Sequence, residues 1–246
     1  MNATGEEVMR IVAARTLSGH ENCFVGIGAP NAAANLARRV HNPGIVLIYE
    51  SGTIGAKPDV LPLSIGDAEL AETADSVVSI PEIFAYWLQA GRIDVGFLGA
   101  AQIDRFGRLN TTVIGPYDHP RVRLPGAGGA PDIAAAAREV VVMLRQRPET
   151  FVDVLDFVTS VGKPSKVITD LGVLVPDPAT FELTLTHVHP GVSVDQVRKA
   201  TGWPLRVAAE VEETEPGTAE ELGALRDLEE RSARAHRTPP AAGGKR

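Results

Sequence analysis

Residues 45–52 read Ile-Val-Leu-Ile-Tyr-Glu-Ser-Gly: five apolar side chains, then a carboxylate, then a small-residue turn. An apolar, β-branched run without polar alternation fits a strand covered on both faces, as in a parallel sheet. Ser51-Gly52 marks where that strand ends. In open α/β sheets the carboxyl ends of the strands face the ligand crevice. Glu50 therefore stands on rigid scaffold at the reactive end, poorly enough hydrated to act as a nucleophile. Taken alone, a strand-end glutamate is more often a solvated loop residue. The rest of the chain has to decide between the two.

Working outward, Val8, Ile11, Val12, Ala13 and Leu17 fall at helical spacing, which predicts an opening helix over 5–17. Cys23 to Gly28 reads as a short strand ending in Gly26-Ile27-Gly28. Pro30 suits the start of a helix running from about Asn31 to Val40. After Glu50 comes a Gly/Pro-rich loop to Gly66. Asp67 caps a predicted short helix through Ala74, and 82–90 reads as another. Val95–Leu98 is a predicted strand entering Gly99-Ala100-Ala101-Gln102, and 108–113 a short strand or extended loop. A second glycine stretch, Leu124-Pro125-Gly126-Ala127-Gly128-Gly129-Ala130-Pro131, opens an alanine-rich helix, and Glu139–Leu144 is a buried strand.

Beyond it the pattern becomes strand-rich, with predicted strands at 154–158, 166–175 and 181–187 adding an antiparallel region. Ser193 with Gln196 and Thr218 with Glu221 are capping-box signatures. The last helix, rich in Glu and Arg at i,i+4 spacing, reads as solvated, and residues 237–246 as a disordered tail. The fold class that follows is α/β, with a single open, mostly parallel sheet and flanking helices in one domain over residues 1–236.

Composition excludes several functions. The chain has 246 residues, 44% hydrophobic and only 5% aromatic, which allows one large aliphatic core. A net charge of −7 without a long basic run argues against nucleic acid as a partner. No apolar run approaches a membrane span and the N-terminus lacks a signal pattern, so a cytoplasmic protein is expected. The single cysteine, Cys23, permits no internal disulfide and reads as a buried thiol.

The other motifs are weak. Gly26-x-Gly28 fails the dinucleotide spacing because residue 31 is Asn. His187-x-His189 shares a strand face but has no accompanying ligand cluster, so no metal is assigned. There is no G-x-S-x-G elbow. The Pro-flanked glycines at 126–129 suit either an oxyanion hole or tight packing.

Longer blocks carry a resemblance. They are Phe24-Val25-Gly26-Ile27-Gly28-x-Pro30, Tyr49-Glu50-Ser51-Gly52, the stretch from Tyr86-Trp87-Leu88-Gln89 to Gly99-Ala100-Ala101-Gln102, and Arg123–Pro131. Ile54-Gly55-Ala56-Lys57-Pro58 and Thr201-Gly202-Trp203 add to them. Over residues 5 to 235 the chain resembles the β subunit of family I CoA-transferases, in the glutaconate and 3-oxoadipate CoA-transferase group.

The resemblance implies a catalytic Glu50, an oxyanion loop at Gly128, Gly129 and Ala130, and a CoA cleft lined by Gly26, Gly28, Gly99, Ala100 and Gln102. It implies a separate α subunit in an α2β2 assembly, with the active site between subunits, and a CoA thioester as substrate with no cofactor. Succinyl-CoA is the implied donor and 3-oxoadipate the implied acceptor. Lys57, Arg121 and Arg123 are local candidates for the acceptor's carboxylate, with ordinary surface charge the equal alternative. Transfer to glutaconate or acetate, thioester hydrolysis, ring opening and a small-molecule sensor on the related sugar-isomerase-like fold are the competing readings. A steroid-ring-cleaving branch of the group lacks the glutamate, so Glu50 favours transfer. One departure stands out: Lys163-Pro164-Ser165 closes a gap that relatives fill with a long glycine-rich loop, which weakens inferred acyl selectivity.

Overall fold

A computed structural model describes residues 3–237. Ten strands form one sheet: β1 (Asn22–Phe24), β2 (Val46–Ile48), β3 (Thr53–Ile54), β4 (Ser76–Val77), β5 (Val95–Leu98), β10 (Glu139–Met143), β11 (Lys166–Ile168), β12 (Gly172–Pro176), β13 (Leu183–Val188) and β14 (Arg206–Glu213). Two small hairpins stand outside it, β6 (Gln102–Ile103) with β7 (Leu109–Asn110) and β8 (Val113–Ile114) with β9 (Val122–Arg123). The order across the sheet is β14-β13-β12-β11-β10-β5-β1-β2-β3-β4. Strands β2, β1, β5, β10 and β11 run parallel; β3 and β4 at one edge and β12 at the other side run antiparallel to their inner neighbours. The expected open, mostly parallel α/β sheet is thus present.

Two helical layers cover the sheet. Helices α1 (Gly5–Arg15), α2 (Ala29–Leu36) and α7 (Ala219–Arg237) pack on one face, against Cys23, Leu47, Tyr49, Phe97 and Met143. On the other, α5 (Ala130–Ala136), α6 (Val194–Lys199) and a π-helical segment, Ile83–Leu88, pack against Phe24, Ile48, Leu98 and Val142. Successive strand residues alternate between these cores, so burial on both faces hides the period of two from the sequence. The remaining helices, α3 (Ala68–Glu72) and α4 (Ile80–Glu82), start at the caps Asp67 and Ser79.

From β1 the chain crosses to β2 on one side and later to β5 on the other, which makes the β1/β5 boundary a switch point with a crevice at its carboxyl end.

Several expectations need correction. The 154–158 segment is not a strand: Val154 is 78% exposed, and side chains tie the segment down instead, Asp156 accepting from Gln102 Nε2 at 2.9 Å. The 166–175 run is two antiparallel strands, β11 and β12. Strand β14 was not expected, because its Glu-rich sequence hides a strand that pairs parallel to β13. Helix α7 is solvated on one side only; Leu222, Leu225 and Leu228 are buried. It ends at Arg237, and the expected disordered tail lies, from residue 238 on, outside the described residues.

Candidate active site

Four chain segments meet at the switch point. Strand β1 delivers Gly26, and Gly28, at φ 88°, starts α2 without a side-chain cap. Strand β5 delivers Gly99 and Ala100. Strand β2 delivers Glu50 into a tight turn closed by Gly52 N–H donating to Tyr49 O at 3.0 Å. The turn needs Gly52: at φ 102° a Cβ there would lie 2.0 Å from Val78 O. The fourth segment is the glycine loop that ends on α5. Helix α5 can reach the sheet because Gly96 has no side chain; a Cβ at that position would meet Ile133 at 2.5 Å.

Tyr49 anchors the nucleophile's strand end. It is fully buried, its hydroxyl donates to Asn31 Oδ1 at 2.7 Å, and Asn35 Nδ2 donates to Asn31 O at 3.0 Å. Burial pushes the Tyr49 phenol upward, so it stays a neutral donor.

Glu50 faces a cavity of about 480 Å³ walled by Gly26, Gly99, Ala100, Leu124, Gly128 and Ala130. On its other side is a second cavity of about 340 Å³, lined by Ile65, Ile80, Phe84, Gly129 and Asp132. Burial raises the Glu50 carboxyl above its ordinary value, opposed by the hydrogen bond from the Gly129 amide. Gly129 lies so close that a Cβ would be 3.1 Å from Glu50 Oε1 and 2.5 Å from the Phe84 ring. Phe84 is itself held edge-on to Phe24, with centroids 5.9 Å apart.

The predicted site residues are not all brought together. Glu50, Gly26, Gly99, Ala100, Gly128 and Ala130 line the larger cavity and Gly129 the smaller one. Gly28 lines neither, though it caps the adjacent helix. The Ala130 amide is committed to Ala127 O at 3.0 Å inside the loop, which leaves Gly129 as the amide directed at Glu50. Gln102 is 5% exposed and braces the loops, its Oε1 accepting from Asn110 Nδ2 at 2.7 Å, rather than lining the cavity.

Lys57 pairs with Asp75 at 2.5 Å, while Arg121 and Arg123 stand on the β8–β9 hairpin; none of the three lines either cavity. Phe84, Asp132 and the Tyr49–Asn31–Asn35 cluster carried no sequence signal, because each lies within an ordinary helical or apolar pattern. His189 is buried between Thr214 Oγ1 and Thr169 O, and among the described residues no cluster of metal-ligand type occurs. Cys23 is buried, and burial pushes its thiol upward. Among the described residues no helix is long and apolar enough to cross a membrane.

Against known proteins, the family described as Coenzyme A transferase matches residues 7–200. The chain is 57% identical over 246 aligned residues to the β subunit of 3-oxoadipate CoA-transferase from Pseudomonas knackmussii, covering 94% of this chain and 95% of that one. The crystal structure of glutaconate coenzyme A-transferase from Acidaminococcus fermentans superposes with a TM-score of 0.87 at 28% identity, covering 97% of this chain and 99% of that chain. The decarboxylase AibA/AibB superposes with a TM-score of 0.85 at 25% identity, over 96% and 98% of the two chains. One fold therefore hosts more than one chemistry, and the site has to discriminate between them.

Proposed function

The chain belongs to the coenzyme A transferase family, and from that premise we propose that it moves CoA from succinyl-CoA to 3-oxoadipate through a thioester on Glu50. It is a CoA-transferase, and like its relatives in two-subunit CoA-transferases it works with a second kind of chain. The observation that carries the role of Glu50 is a carboxylate at a rigid strand end, raised by burial, with a single amide donor and no cation on the cavity walls. Weak solvation leaves its charge available for attack.

The cycle balances without a further reagent. A Glu50 carboxylate oxygen attacks the thioester carbonyl, the C–S bond breaks, and CoA thiolate leaves behind an acyl-glutamyl anhydride. The thiolate returns to the glutamyl carbonyl and expels succinate, giving the enzyme thioester. The acceptor carboxylate then attacks that thioester and the steps run in reverse. One thioester replaces another, so neither ATP nor a metal enters the balance. The Gly129 amide is the donor best placed for the oxyanion, and one such donor contributes roughly 3–4 kcal/mol.

Exposed apolar residues rim the site, Ile65 at 38% and Ile80 at 54%. That supports closure by the partner chain, which would keep water from the activated intermediates; we assign the assembly as α2β2.

The test is intact mass of the complex after incubation with succinyl-CoA alone. A CoA adduct mapping to Glu50, absent in Glu50→Gln, is expected. Free CoA without an adduct would replace this reading with hydrolysis.

A further inference from the structure

The cavity that takes the acyl group offers nothing to the phosphates of coenzyme A. Neither cavity beside Glu50 is lined by Lys or Arg; the charged side chains on their walls are Glu50 and Asp132. The chain's net charge of −7 adds no general attraction. The anionic nucleotide end of a CoA thioester must therefore meet cations farther along the wall.

That wall continues into the β8–β9 hairpin. Leu124, which lines the cavity, donates its amide to Thr112 O at 3.0 Å, and beyond it Arg123 pairs with Val113 and Val122 with Ile114. The Arg123 guanidinium lies 5.0 Å from the centroid of Tyr117, whose ring stacks on Phe157 at 5.5 Å. Arg121 stands at the return of the same hairpin, its amide donating to Ile114 O at 2.9 Å. Among the described residues neither arginine has a carboxylate partner, whereas Lys57, Arg105 and Arg108 each have one.

A guanidinium laid flat on an aromatic ring keeps its N–H edges free, which suits paired phosphate oxygens. From Thr112 to Tyr117 is roughly 15 Å of extended chain, a span that a pantetheine arm can cross.

We propose that the β8–β9 hairpin binds the phosphate groups of coenzyme A, with Arg123 and Arg121 as the ligands and the Tyr117–Phe157 stack as the support that holds Arg123. This rests on the CoA-transferase reading of Glu50. It also moves the two arginines away from the acceptor's carboxylate, which they do not reach through either cavity.

The experiment compares succinyl-CoA, its dephospho form and succinyl-pantetheine as donors, using the purified two-subunit complex with Arg121→Ala, Arg123→Ala and the double substitution. KM for succinyl-CoA should rise about tenfold per arginine. KM for succinyl-pantetheine and for the acceptor acid should stay put, and Arg123→Lys should recover part of the loss. A smaller penalty on the dephospho thioester assigns the 3′-phosphate and an equal penalty the diphosphate, and both support the proposal. An equal penalty on succinyl-pantetheine, a raised acceptor KM or loss of the co-purifying α chain would each overturn it. Failure of the wild-type complex to form a Glu50 adduct from either donor would instead overturn the Glu50 reading.

Discussion

The glutamates on the helical face and the glutamate of the cleft are treated in opposite ways. Glu7 and Glu221, 8% and 2% exposed, join α1 to α7. Hydrogen bonds from Arg226 and Thr4 bring Glu7 down to about 2 against its burial. Burial pushes Glu221 up, but Arg15 and the Thr218 amide outweigh it and bring Glu221 to about 2 as well. Glu50 receives no arginine, and its carboxyl is raised. The chain neutralises the carboxylates that hold its helices together and leaves the reactive one uncompensated. Where stability is the task, charge is matched; where reactivity is the task, it is left exposed to its own poor solvation.

Removing the uncompensated charge should have the largest effect. Glu50→Gln is expected to lower turnover by at least about a thousandfold while near- and far-UV circular dichroism stay unchanged; activity within tenfold of wild type would end its role as nucleophile. Next is the amide opposite it. Gly129→Ala drives a Cβ into Phe84 and toward Glu50, so kcat should fall about a hundredfold. Adding Phe84→Leu should restore part of it if displacement of the loop is the cause.

On the matched side, Glu221→Gln leaves Arg15 without its main partner and should cost about 2–3 kcal/mol in denaturant unfolding, with kinetics of the folded protein unaltered. An unaltered midpoint would break the contrast.

The pH profiles should then separate the two regions. Glu7 and Glu221 fall from an ordinary 4.5 to about 2 on folding, so their stabilisation is complete above about pH 4.5 and lost as pH falls toward 2. Glu50 has the opposite sign. Its folded value is raised, so its contribution favours folding at low pH and is lost as pH rises through that value, whereas attack needs the carboxylate and grows over the same interval. Activity should thus decline on acidification before the fold does. The smallest expected effect follows from the same sign: Glu50→Gln should stabilise the folded chain at neutral pH, by less than about 1 kcal/mol.

Much of this was legible from the sequence, because parallel-sheet strands buried on both faces are continuous apolar runs. Ile45–Tyr49, Val95–Leu98 and Glu139–Leu144 announce themselves, and each glycine turn marks a carboxyl end. Strand β14 was illegible because its exposure comes from standing at a sheet edge, where Glu210, Glu212 and Glu213 discourage further pairing. Lys57, Arg121 and Arg123 were misplaced for a different reason: nearness along the chain to a motif does not fix which side of a hairpin or ion pair a cation ends on. Gln102 sits inside a matching motif, yet its amide is spent on bracing Asn110 and Asp156. Nothing local in the sequence distinguishes a bracing amide from one that binds ligand.

The π-helical segment at Ile83–Leu88 has a consequence for how such a site can change over generations. Its bonds span five residues, with Gln89 N–H donating to Phe84 O at 2.8 Å and Arg92 N–H to Trp87 O at 2.9 Å. A π turn holds one residue more than an α turn. Loss of one residue from this segment would therefore rewind it as α-helix and rotate Phe84 off Gly129, while Ile83 stayed in the core upstream of the change. A single-codon deletion, rather than a series of substitutions, would remodel the wall behind the nucleophile, so the segment is a point where the cleft can be reshaped without rebuilding the sheet.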